Sequence, residues 1–129
     1  MFLQHLNERQ AAAFLYIAEC VAAADGKIKY PEITKISSFF KQLNPHITPE
    51  ECSVDTAGTI FDTSKARVAA LLELLVLAHT DHDYHASEQD LIRSVSDAFG
   101  FSRETLDQMT VWAARHAQLI RDARTFFED

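Results

Sequence analysis

Glycine, proline and cysteine are all scarce in this chain of 129 residues, which has 3 Gly, 3 Pro and 2 Cys. So little turn-forming backbone argues against a fold of many short strands, and apolar residues recur at helical rather than alternating spacing. Cys20 and Cys52 are too few for a disulfide scaffold and form no C-x-x-C pair. They read as reduced thiols of a cytoplasmic protein. Positive charge is also in deficit, with 12 Lys and Arg against 19 Asp and Glu and a net charge of −7. No nucleic-acid partner is therefore expected, because phosphate binding needs clustered cations. A cationic partner or a metal ion suits the charge better. The opening stretch, MFLQHLNERQ, lacks the basic and then apolar regions of a signal peptide. The longest apolar run, 68–78, is interrupted by Glu73. It falls far short of the roughly 20 residues a bilayer span needs, so no direct membrane insertion is expected. Nucleophile motifs, glycine-rich phosphate loops and dinucleotide fingerprints are absent.

What is present is apolar and helical. A hydrophobic content of 47% and a charged content of 24% are those of a soluble globular protein, and the length fits one domain, residues 1–129. The spacing predicts six helices at about 8–24, 31–43, 49–61, 65–80, 87–99 and 103–126. Four start signals support them: Asn7 with Gln10, Thr48-Pro49-Glu50-Glu51, Ser87 with Asp90, and Ser102. Residues 11–24 carry only Glu19 as a charge and residues 68–78 only Glu73, so these two helices belong at the centre, wrapped by the others. Apolar stripes mark the rest: Ile33, Ile36, Phe39, Phe40 and Leu43; Leu91, Ile92, Val95 and Phe99; and Leu106, Met109, Trp112, Ala113, His116 and Ile120. Trp112 and most of the nine Phe are expected in the core. The expected fold is an all-α, single-domain helical bundle.

Displaced by 56 residues, the sequence falls on itself, VAAADGKIKYPEITKISSFFKQLN (21–44) on LAHTDHDYHASEQDLIRSVSDAFG (77–100). Asp25 meets Asp81, Ile28 meets Tyr84, Glu32 meets Glu88 and Ile36 meets Ile92. Each copy reads as an apolar helix, an Asp, a short loop with one apolar anchor, a Glu and an amphipathic helix. Internal repeats of about 11–44 and 67–100 predict a pseudo-twofold helix-loop-helix arrangement in which the two central helices pack on each other.

The segment AAADGKIKYPEITKI, its variant AHTDHDYHASEQDLI and the FGFS that follows resemble the TerB-like family of tellurite-resistance-associated proteins. Related domains open some membrane-anchored DnaJ-type co-chaperones. The resemblance covers nearly the whole chain and is most specific in A-D-G-x-I-x-x-x-E, residues 24–32. It implies an all-α bundle with two acidic helix-loop-helix repeats and no enzymatic activity. It also implies a cytoplasmic role in stress response or tellurite resistance, a protein partner in a membrane-associated assembly, and a metal ion as a candidate ligand. Residue by residue it covers Asp25 and Glu32 in the first copy and Asp81 and Glu88 in the second. The chain departs from the pattern at His82, where the first copy has Gly26.

The acidic loops admit two readings. An Asp after a helix accepts hydrogen bonds from its own loop, and a Glu in the first turn of the next helix meets the positive end of that helix. Both acids would then be structural. The ligand reading rests on the second copy, where His79, Asp81, Asp83, His85 and Glu88 crowd together and no Lys or Arg occurs between Arg67 and Arg93. In the first copy, Lys27, Lys29 and Lys35 would screen the acids. Asp81, Asp83 and His85 alternate as in a calcium loop. However, Ala86 stands where an EF-hand needs Gly and Ile92 where it needs Glu, so a calcium site of that design is not expected. The histidines suit zinc or nickel better. If the fourth helix ran through the motif, His79 would share a face with Asp83, and Asp81 with His85. No cofactor is certain; zinc, nickel and calcium are the candidates. An alternative is a metal-dependent phosphohydrolase of HD type, using His82-Asp83 with His46 upstream and Asp107 or Asp122 downstream. Tyr84 is expected to plug its loop against the core, as Ile28 would in the other copy. The stretch RDARTFFED either docks on the body or offers an apolar contact.

Overall fold

Asn7 and Gln10 close a reciprocal capping box. The Asn7 side chain accepts from the Gln10 amide at 2.8 Å, and Gln10 Oε1 accepts from the Asn7 amide at 3.0 Å. This box starts α1, Glu8–Ala22. The computed structural model describes every residue except Asp25, Lys27, Pro45, Asp81, His82, Asp83 and Asp129. Among the described residues the elements are a short 3-10 turn at Leu3–His5, then α1, α2 (Tyr30–Gln42), α3 (Val54–Ile60), α4 (Ser64–Ala78), α5 (Ala86–Ala98) and α6 (Arg103–Thr125). No strand occurs among them.

The helix boundaries carry the repeat. α1 and α4 each have 15 residues, α2 and α5 each have 13, and all four boundaries move by the same 56 positions. The chain therefore builds one helix-loop-helix twice. α1 and α4 are its central members and pack on each other. Phe14, Leu15 and Val21 from α1 and Leu71, Leu74, Leu75 and Leu77 from α4 are all essentially inaccessible. α2 closes over α1 with Phe39, whose ring meets Phe14 edge-on at 5.1 Å. α5 contributes Ile92 and Val95, with Phe99 as its C-cap, while α6, with Leu106 and Ala113 buried, packs on α4.

Tertiary contacts override the local signals in three places. First, Thr48-Pro49-Glu50-Glu51 starts no helix. This stretch has no regular secondary structure, the Glu50 amide donates to the Ala12 carbonyl at 3.0 Å, and Cys52 is buried. The helix begins instead at Ser53, whose side chain accepts from the Thr56 amide. Second, Ile33 of the α2 stripe is half exposed. Third, α6 has 23 residues and is about 35 Å long, against about 22 Å for the 15-residue α4 beside it. Trp112 midway along α6 and Leu119 and Ile120 in its outer half are accessible, and Phe126 and Phe127 just beyond it are exposed at 85% and 88%. The core expectation for Trp112 and Ile120 is thereby corrected. The segment after α6 does not dock on the body.

α3 sits on α5 at unusually close range. A β-carbon on Gly58 would stand 2.5 Å from the Ala98 carbonyl oxygen, so only glycine lets these two helices meet.

Candidate functional site

Both repeat turns place their Glu at the third helical position. Glu32 is third in α2 and Glu88 is third in α5, and each is 1% exposed. There the first-turn amides and the helix dipole favour a carboxylate. Glu32 Oε1 accepts from the Lys29 amide at 3.2 Å, just before α2. Glu32 thus belongs to the cap of α2, and Glu88 is a buried acid in the first turn of α5. Asp25, Asp81 and Asp83, together with His82, lie outside the described residues. Gly26 has φ +86°, so the first turn uses a backbone conformation that a histidine at the equivalent position 82 would adopt only rarely.

The second turn carries the chemistry that the first lacks. α4 ends at Ala78 and α5 starts at Ala86, so α4 does not run on through the motif; Asp81 and Asp83, one member of each expected i, i+4 pair, lie outside the described residues. His79 caps the C-terminus of α4. Its Nδ1 lies 2.7 Å from the Leu75 carbonyl, and a carbonyl only accepts, so Nδ1 holds the proton. In the neutral ring Nε2 is then left with its lone pair. This backbone-anchored tautomer is the one metal-bound histidines commonly use. The ring packs at 4.5 Å on Tyr84.

His85 does different work. As N-cap of α5 it accepts the Ser87 amide at Nδ1, at 3.1 Å, displacing Ser87 from the capping role expected for it. A proton or metal on that nitrogen would release the cap. Lys35 of the first copy lies over the Phe39 ring, at 5.4 Å from its centre. Among the described residues no group of three or more His, Cys, Asp and Glu could hold a metal ion.

Tyr84 packs against the core as expected, whereas its counterpart Ile28 is half exposed. Burial, then the charge of Glu88, pushes the Tyr84 phenol up to about 12, with Arg93 opposing. The folded value lies above the ordinary 10, so the associated stability is fully present below pH 10 and is lost as pH rises toward about 12. Denaturation at a series of alkaline pH values should show this fall. Tyr84→Phe should flatten it, and an unchanged slope in that variant would place the cause elsewhere.

The roles of three features were not read from the sequence. Glu73, the lone acid of α4, is fully buried; neither of its oxygens accepts a hydrogen bond, and the Met1 ammonium lies 3.8 Å away. Arg67 binds three carbonyls at once: Phe61 at 2.6 Å, Gly58 at 2.7 Å and Phe99 at 3.2 Å. A groove between α2 and α6 gathers Lys35 with Arg121, 86 positions further on, and only folding brings them together.

The His82-Asp83 pair of the hydrolase alternative lies outside the described residues. Thr80, next to the His82-Asp83 pair, shares a groove with Tyr30 and Pro31 at the start of α2. His46 follows the far end of α2, and that 13-residue helix is about 20 Å long.

Residues 54–111 match the family model for tellurite resistance protein TerB, a stretch that holds the second repeat turn but not the first. No curated protein and no solved structure matches the chain.

Proposed function

We propose that this chain, TerB-like over residues 54–111, is a non-enzymatic acidic interaction module whose working surface is the second repeat turn, residues 79–88. In this reading the turn takes a divalent transition-metal ion and through it engages a protein partner. The role in tellurite resistance is the one the family description names. One observation carries the proposal: His79 is held by its Nδ1–H on the Leu75 carbonyl, with no partner on Nε2 among the described residues, in a stretch with no Lys or Arg between Arg67 and Arg93. Imidazole with carboxylates nearby in sequence is a donor set suited to zinc or nickel rather than calcium. His79 would supply one donor, and the ion would supply positive charge for an acidic or histidine-bearing partner.

Thermal melting with zinc, nickel, manganese, magnesium and calcium in turn tests the reading. An ion at about 100 times its dissociation constant should add roughly 2.7 kcal/mol of stability. The expected result is such a shift with zinc or nickel, lost in His79→Ala and kept in His116→Ala. No shift with any ion up to about millimolar concentration contradicts metal binding here.

A further inference from the structure

The groove between the start of α2 and the outer half of α6 has no place in the function proposed above. Its volume is about 420 Å³, within the range of small-ligand sites. At about 30 Å³ per water, that space corresponds to roughly fourteen non-hydrogen atoms. Lys35, Arg121 and Arg124 line it and His116 stands beside them, while no Asp or Glu lines it. For a chain of net charge −7, this is a local reversal of sign.

The three cations are not committed to acids. Lys35 rests over the Phe39 ring, and Arg121 donates to the Gln118 side chain at 2.8 Å. None of the three forms an ion pair among the described residues. The groove is not purely polar. Val76, almost fully buried, and Ile120, 43% exposed, give it an apolar lining. Cationic and apolar surface together fit a ligand with an anionic head and an apolar body.

We propose that the α2/α6 groove binds an amphiphilic anion of phosphate-ester type, the phosphate against Arg121, Arg124 and Lys35 and the apolar body over Val76 and Ile120. A guanidinium pair suits a phosphate because each fork offers paired N–H donors. A free alkyl phosphate and the headgroup region of an anionic lipid share this chemistry.

Calorimetric titration with octyl phosphate, octanol and inorganic phosphate tests it on the whole chain. Octyl phosphate should bind one to one, at least about tenfold tighter than either of the others. Arg121→Gln/Arg124→Gln should weaken it about tenfold, and so should Ile120→Ser. These side chains are accessible and make no ion pair, and unchanged melting of the variants checks the fold. Co-sedimentation with phosphatidic-acid vesicles distinguishes the sources. Wild type pelleting and the double variant staying in solution assigns the anion to a membrane; octyl phosphate binding without pelleting assigns it to a soluble ester. Octanol binding equally well, octyl phosphate failing to bind, or undiminished binding by the double variant would overturn the assignment. So would a poly-glutamate peptide binding as tightly as octyl phosphate.

Discussion

Arg67→Ala should lower the stability of the whole domain by about 3 kcal/mol, measured as the shift in urea midpoint at constant slope. Arg67 rises from the first turn of α4 and reaches Gly58 and Phe61 at the end of α3 and Phe99 at the end of α5. All three acceptors sit at the negative ends of their helices, where a cation is favoured. One guanidinium thus satisfies carbonyls from two helix termini and ties both to a third helix. Bonds to a charged donor contribute more than neutral ones, and the half-buried carbonyls left behind lose a partner that alanine cannot replace. Arg67→Lys should recover only part of the loss, since an ammonium on a flexible stem cannot present the three-way fork. A loss below about 1 kcal/mol for Arg67→Ala would mean that water takes over the three carbonyls.

Glu88→Ala should cost about 2–3 kcal/mol with no ligand present. The carboxylate is 1% exposed at the third position of α5. Its removal leaves a cavity and takes negative charge from a helix N-terminus. Glu32→Ala should behave alike, because the Lys29 amide loses its acceptor. The two acids most conspicuous in the repeat are thus predicted to serve folding. A variant of either that kept full stability would return that glutamate to the candidate ligands.

Much of this architecture was legible in the sequence because it rests on periodicity. The 56-residue displacement anticipated two matching helix pairs, and their boundaries move by that same interval. The near-uncharged stretches around Phe14 and Leu74 marked the central helices, since a helix apolar nearly all round has no face for water. What escaped was decided by partners distant in sequence. Thr48-Pro49-Glu50-Glu51 has every local feature of a helix start, yet the Glu50 amide is drawn to Ala12 and Cys52 into the core. The stripe on α6 is continuous, but periodicity does not reveal where neighbouring helices end, so its outer part reads as core and is exposed.

Within the candidate site, Glu32 and Glu88 were correctly paired by the repeat, and their first-turn positions were foreseen. The separate jobs of His79 and His85 were not. Each is fixed by which ring nitrogen meets a backbone group, a carbonyl for His79 and an amide for His85. Residue type and spacing are the same for either outcome.

The most direct test of the second turn as a cation site is nitrogen-15 NMR of the His79 ring during zinc addition. The account predicts that Nδ1 stays protonated on the Leu75 carbonyl while the Nε2 resonance shifts and saturates in step with the rise in melting temperature. An Nε2 resonance that does not move while zinc binds, or a protein that binds no zinc, would contradict it.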